Sequence, residues 1–437
     1  MQSPLARSRR RSARVARGSS IVLALALASC STNEEGRLGA IGTGDVSNPS
    51  LARIASGDKA DACAAVAAGV KPAQTLSRGP YLQRVTANDA VVAWTSSGGG
   101  SATVQVETPD GTQKATFDAA IDKSAPMPDI VSQWPTPISF KPVRQWTAAV
   151  SGLSPDATYC YTVMQNGVPA TAPAELRSAP PPGTGARVQF LALGDSGGGG
   201  SDQLALMRQM ATVSYDFMIH AGDIAYDDGT LAQFESRFFA VYAPMLAKRP
   251  IFPASGNHEY GTSDAGPFRQ VFVLPENGGP GGVERWYSYD WGDIHFVVLD
   301  TEKTGPAQAA WLEADLNANV LPWTIVYGHK PPRSSAGRYD LPWQEYFEPV
   351  LAAHHVALVL NGHEHHYERF EPREGVTYVV TGGGGRGVRE LGASAPGSAF
   401  AEAVIHFVVV TVEGDTLTLH AIDATGREFD STVIHRS

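Results

Sequence analysis

Short runs that alternate apolar and polar residues occupy the chain from about residue 75 to 177, as in Val91-Val92-Ala93-Trp94, Ala102-Thr103-Val104-Gln105-Val106 and Tyr159-Cys160-Tyr161-Thr162-Val163. Gly, Pro, Asp and Asn turns separate them. A period of two sets one face of each run against a core, and strands at this spacing predict a β-sandwich. Beyond about residue 187 the pattern changes. Mostly apolar runs at 188–193, 216–220, 294–299, 324–327 and 356–360 read as buried strands. Segments of helical period, 201–210, 231–246, 307–316 and 342–352, alternate with them, and a β-rich stretch at 404–412 and 416–421 follows. The fold class expected is mixed, with an all-β sandwich at 74–179 followed by an α/β domain at 186–437. Ala179-Pro180-Pro181-Pro182-Gly183 reads as the stiff boundary between them.

Residues 30–73 carry no apolar periodicity and are rich in Gly, Ala, Ser, Asn and Asp, which predicts a flexible tether. Ahead of them, residues 1–29 read as an export signal. A basic region with Arg7, Arg9, Arg10, Arg11, Arg14 and Arg17 precedes the apolar run 21–28. That run is far shorter than the roughly 20 residues a spanning helix needs. Leu27-Ala28-Ser29-Cys30 resembles a bacterial lipobox, which implies a lipid on Cys30 and membrane contact without spanning. The alternative is an ordinary signal peptide and a periplasmic or secreted protein. Cys63 and Cys160 then remain of three cysteines, and they either pair, as export permits, or stay separate thiols.

Charge removes one class of partner. The formal charge is -10, and without the six arginines of the first 29 residues it falls to -16. Nucleic-acid binding is not expected, since a phosphate backbone needs clustered cations. Oligomeric state leaves no mark on the pattern.

The chemistry lies in five blocks: Gly194-Asp195-Ser196-Gly197, Gly222-Asp223-Ile224-Ala225-Tyr226, Gly256-Asn257-His258-Glu259, Val326-Tyr327-Gly328-His329 and Gly362-His363-Glu364-His365. Nearly every one follows an apolar strand-like run, so their polar residues belong on loops at strand ends. The donors Asp195, Asp223, Tyr226, Asn257, His329, His363 and His365 are oxygen and nitrogen without thiolate, a set suited to Fe, Mn or Zn. His363 and His365, two apart on a segment read as extended, point the same way and each reaches a different ion. Taken singly, each has a bland reading: a turn carboxylate, a turn amide, a buried aromatic, a structural histidine. In this order they point to a two-metal hydrolase. The glycine run 197–200, with Ser201 as helix N-cap, reads as a loop-to-helix turn in preference to an anion cradle.

In this order the blocks resemble the signature of purple acid phosphatases, within the calcineurin-like metallophosphoesterases. Leu153-Ser154-Pro155-Asp156-Ala157-Thr158-Tyr159 likewise resembles the tyrosine corner of fibronectin type III domains, which often precede that catalytic domain. The resemblance implies two β-sheets flanked by helices. It implies Fe(III) on Asp195, Tyr226 and His365, a divalent Fe, Zn or Mn on Asn257, His329 and His363, and Asp223 as bridge. His258 would contact phosphate or protonate the leaving oxygen, and a metal-activated hydroxide would attack phosphorus in an acid phosphatase acting on small phosphate esters. The chain departs from the pattern after the fourth block. Residues 330–339 hold no histidine, and Arg333 and Arg338 read as solvated loop cations rather than phosphate contacts. A phosphodiesterase or nucleotidase on the same scaffold, and a non-catalytic surface lipoprotein that binds a partner, are the competing readings. His220, His295, His354, His355 and His366 fall outside the blocks and read as core or rim residues.

Overall fold

The computed structural model describes residues 61–97, 99–122 and 143–436. The expected export signal, Cys30 and most of the tether lie outside the described residues. The tether ends earlier than residue 73. Cys63 forms a disulfide with Cys160 (Cα–Cα 5.6 Å), the Ala64–Ala67 turn follows, and the Ala73 N–H donates to the Pro169 carbonyl.

The first domain is an antiparallel ladder of eight strands, ordered Arg78–Gln83, Asp89–Ser96, Arg144–Ser151, Lys114–Ile121, Ala102–Glu107, Thr158–Gln165 and Val168–Pro169, with Ala174–Arg177 also on Thr158–Gln165. Period-two burial sets its inner face: in Ala102–Glu107 each buried residue alternates with a half-buried one. Trp94, Val104, Tyr161 and Val163 are fully enclosed there. The Tyr159 hydroxyl accepts the Ser154 N–H at 2.8 Å, closing the corner that the sequence suggests.

Two sheets build the second domain. In one, Val188–Leu193 pairs in parallel with Phe217–Ala221, which pairs in parallel with Ile251–Ala254. Its other edge continues antiparallel through His406–Glu413, Thr416–Asp423 and Glu428–His435. In the other, Ile294–Leu299, Trp323–Gly328, Leu358–Asn361 and Thr377–Thr381 run parallel. Tyr287–Trp291 flanks them on one side, and Tyr367–Phe370 and Ser398–Glu402 on the other, all antiparallel. Strands buried on both faces read as continuous apolar runs, which is why 188–193 and 294–299 stand out in sequence. Alternation still divides their faces. Phe296, Val298, Ile325 and Tyr327 meet the first sheet through contacts such as Phe190–Phe296 at 5.4 Å, whereas Val297, Leu299, Val326 and Val359 pack under Pro306–Ala318 and the helices near Trp343.

Proline and local geometry adjust the helices. The expected helix at 342–352 is two, Leu341–Tyr346 and Glu348–Ala353, because Pro349 lacks the N–H that would carry the ladder past Phe347. The segment 231–246 is helical but opens into a π turn over Glu235–Phe239. Helix Ser201–Met210 is capped by Gly200, and Ser201 is its first residue rather than its cap.

Candidate metal centre

The loops leaving the C-terminal ends of five parallel strands meet at one point. Asp195 follows Val188–Leu193, Asp223 follows Phe217–Ala221, Asn257 follows Ile251–Ala254, His329 follows Trp323–Gly328, and His363 follows Leu358–Asn361. Tyr226 and His365 lie one turn beyond their blocks' first donors. The structure brings all seven together in two groups that share one atom.

In the first group the Tyr226 hydroxyl lies 2.8 Å from Asp195 Oδ1, 3.0 Å from Asp223 Oδ2 and 3.1 Å from His365 Nε2. In the second, His329 Nε2 is 3.2 Å from Asp223 Oδ2, 3.1 Å from Asn257 Oδ1 and 3.2 Å from His363 Nδ1. Asp223 Oδ2 therefore belongs to both. His363 and His365 join different groups, as expected, but they do so from a turn on which His363 has φ 68°, not by pointing the same way from an extended segment. Asp195 (φ 60°) and Asp223 (φ 56°) share that left-handed conformation, which costs free energy for a residue with a Cβ and is held here by the surrounding hydrogen bonds.

These donor atoms fit a cation. His329 Nδ1 is 2.9 Å from the Ala221 carbonyl, which can only accept, so the proton sits on Nδ1. Its Nε2 lone pair then faces a carboxylate oxygen, an amide oxygen and another imidazole nitrogen, an assembly of acceptors that a metal ion satisfies. Without one, burial opposes charge on His329, yet Asp223 and Asp195 raise it to about 10. Burial, then the His329 charge, push His363 the other way. Burial drives Tyr226 far above the ordinary phenol range, reinforced by Asp195 and Asp223, so the phenolate needs a strong cation beside it.

The neighbouring groups lock the donors in place. Glu259, fully buried, accepts the N–H groups of Asp223, Ile224, Ala225 and Gly256 at 2.8–3.0 Å. Sequence reading places Glu259 in the third block but misses this role; its position beside Asn257 and His258 was the available signal. Asp195 Oδ2 accepts the His363 N–H at 2.7 Å, leaving Oδ1 toward the cluster. His258 donates its N–H to Asp223 Oδ1 at 2.9 Å, and its ring packs 4.2 Å from the Tyr226 ring. With Nδ1 at the Asp227 carbonyl, 2.5 Å away, its Nε2 lies 3.7 Å from Asp223 Oδ2.

Of the other sequence candidates, His220 is a core residue hydrogen-bonded to Ser196 Oγ at 2.8 Å, and buried His366 pairs with Glu368 at 3.1 Å. His295 lies between Asp290 and Asp315, and His354 is paired with Glu313 at 3.3 Å. The Gly198 and Gly199 N–H groups donate to Ser196 O and Gln203 Oε1, so this run is a turn into its helix. Arg333 is not solvated: it pairs with Glu348 and lies 5.0 Å over the Tyr378 ring, whereas Arg338 is exposed. The cations beside the donors come instead from elements that sequence reasoning passed over. Arg237 Nη1 donates to the Tyr226 carbonyl at 2.6 Å, Arg386 lies 5.1 Å over the Tyr226 ring, and Arg389 Nη1 donates to the His363 carbonyl at 2.8 Å.

Two sheets with loops converging on paired donor groups define a metallophosphoesterase domain, and residues 188–367 match the family model described as calcineurin-like phosphoesterase. The chain is 27% identical over 325 residues to a barley (Hordeum vulgare) protein named nucleotide pyrophosphatase/phosphodiesterase, spanning 60% of this chain and 87% of that one. It is 26% identical over 355 residues to an Arabidopsis thaliana protein named probable inactive purple acid phosphatase 1, spanning 66% of this chain and 57% of that protein. In fold it is similar to a purple acid phosphatase from yellow lupin (Lupinus luteus) seeds, with TM-score 0.72 and 21% identity over 83% of this chain and 75% of that chain.

Proposed function

We propose that this chain is an exported acid phosphatase, a phosphomonoesterase that hydrolyses small phosphate esters at an Fe(III)–M(II) centre. Asp195, Tyr226 and His365 would hold Fe(III), Asn257, His329 and His363 would hold a divalent Fe, Zn or Mn, and Asp223 would be shared between them. The observation that supports this best is the position of Asp223 Oδ2, 3.0 Å from the Tyr226 hydroxyl and 3.2 Å from His329 Nε2, at the junction of the two donor groups. Bound there, the ions supply positive charge to the transferring phosphoryl group and acidify the attacking water. A water oxygen bonds to phosphorus as the ester P–O bond breaks, the water's proton passes to solvent, and His258 Nε2–H gives its proton to the leaving oxygen. The Asp227 carbonyl orients that ring by holding Nδ1–H.

A second reading, a phosphodiesterase or nucleotide pyrophosphatase on the same centre, draws support from the barley relative's name and from Arg237 and Arg386 beside Tyr226. The inactive label of the Arabidopsis relative favours a binding role, against which stands the convergence of all seven donors. The first domain we read as fibronectin type III-like on its tyrosine corner. Export to the bacterial envelope is supported by the Cys63–Cys160 disulfide, and a lipid on Cys30 would be seen in the mass of the mature N-terminal peptide.

Protein purified without chelator is expected to carry about two metal ions per chain, absorb in the visible through tyrosinate–iron charge transfer, and cleave 4-nitrophenyl phosphate at acidic pH. Asp223→Ala should lose at least about 1000-fold in rate, together with metal, while keeping its far-UV circular dichroism. Near-normal turnover in that variant would sink the bridging assignment. Preference for bis(4-nitrophenyl) phosphate without a visible band would favour the diesterase.

A further inference from the structure

We infer that Arg386 is a specificity-determining residue that grips a second, non-reacting phosphoryl group, so the site favours substrates with two linked phosphates over simple monoesters. The inference rests on the phosphoesterase reading of the metal centre. Its own evidence is the loop at 382–387, Gly-Gly-Gly-Gly-Arg-Gly, which is tied to the donor-bearing backbone. The Gly384 N–H donates to Gly194 O and the Arg386 N–H to Asp195 O, both at 3.0 Å. Arg386 therefore moves with the first metal donor and starts from a fixed base, which lowers the entropy of gripping a ligand.

Its side chain runs across the Tyr226 ring, with the guanidinium 5.1 Å from the centroid and 42% of the side chain exposed. His258 packs on the same ring but reaches the donors, with Nε2 3.7 Å from Asp223 Oδ2. Asp227 links the two, its carbonyl holding His258 Nδ1 at 2.5 Å and its carboxylate holding the Arg386 guanidinium at 3.0 Å. His258 reaches the donors, whereas Arg386 lies at the exposed rim of the same ring, open to a further phosphoryl group of a substrate held at the donors. Asp227 takes part of the guanidinium at 3.0 Å and also faces Arg237 at 3.7 Å, so one carboxylate lies between two arginines and the edge keeps a positive excess. The planar fork suits phosphate oxygens, and the ion pair with solvent-exposed Asp227 is weak enough to exchange for a doubly charged ligand.

The test compares Arg386→Ala and Arg386→Lys with the parent, all metal-loaded as purified, by calorimetric titration with methylenediphosphonate and with inorganic phosphate. Arg386→Ala should weaken methylenediphosphonate about 10- to 100-fold and phosphate by at least about ten-fold less, with Lys in between. Turnover of ADP should show the same selective loss, carried by KM, relative to 4-nitrophenyl phosphate. Equal losses on both ligands would make Arg386 a prop for Tyr226 and overturn the inference, as would no loss on either. Should the parent hydrolyse neither substrate, the enzymatic reading fails, while the two titrations still decide the role of Arg386.

Discussion

Gly256 precedes the donor Asn257, and a β-carbon built there would lie 2.2 Å from Asp223 Oδ1. Gly362 precedes His363 in the same way, 2.6 Å from Asp195 Oδ2. The glycines of these blocks thus do more than turn the chain. They let one donor's backbone pass against another donor's carboxylate, so that both fit around shared ions. Gly256→Ala must displace Asp223, which is buried and held by the His258 N–H and the Glu259 cage. We expect the variant to lose at least about 2 kcal/mol of stability and most of its bound metal, since overpacking a rigid site costs about 1–3 kcal/mol. Denaturant titration with metal analysis tests this. Unchanged metal content would mean that the loop yields and that Asp223 has more freedom than its contacts suggest.

At the scale of elements, the central strands and the convergence of the seven candidate residues at their ends were legible because both leave strong local marks. A strand buried on both faces is a continuous apolar run, and a donor at its end sits beside glycine. Edge strands leave weaker marks: Ser398–Glu402 and Glu428–His435 have no fully buried residue and mix polar residues freely, so no pattern announced them. Arg386 was illegible for another reason, since its partners Tyr226 and Asp227 lie some 160 positions away. His295, read from the sequence only as a core or rim residue, has nearer partners. It joins strand Tyr287–Trp291 to helix Pro306–Ala318 through Asp290 at 2.7 Å and Asp315 at 2.9 Å. Burial alone would lower its pKa, but the two carboxylates outweigh it and raise it to about 9. A folded pKa above the unfolded value of about 6.5 means stability fully present below about pH 6.5 and lost as pH rises through about 9. Allowing for the exposure of Asp290, the contribution is about 2 kcal/mol. The stability difference between the parent and His295→Ala should therefore shrink by about 2 kcal/mol from about pH 6 to about pH 10 in urea titrations. A difference independent of pH would assign His295 a packing role instead.

Across the whole molecule, the two domains share one interior, although composition at 179–183 suggested a boundary. A continuous apolar core runs from Tyr81 and Leu82 of the first domain to Phe239, Ile251 and Phe272 of the second. Arg78, only 5% exposed, lies 4.2 Å over the Phe239 ring and 3.5 Å from Glu235. Tyr81 donates to the Val271 carbonyl, and Tyr161 to the Ala247 carbonyl at 2.6 Å. Gln83 does most in the smallest space: its Nε2 donates to Ile251 O at 3.2 Å while its Oε1 accepts the Val273 N–H at 3.1 Å. Ile251 begins the strand that leads into the Asn257 loop, so the first domain braces a loop of the candidate site as well as covering apolar surface. Domains joined through a common core unfold together. A single calorimetric transition is therefore expected for the whole chain. Gln83→Ala, which strands the half-buried Val273 N–H and removes a donor from the buried Ile251 carbonyl, should cost about 1–3 kcal/mol and lower that transition without splitting it. Two transitions, with only the upper one shifting when metal is removed, would show instead that the first domain is an independent spacer and that its contacts leave the metal loops indifferent.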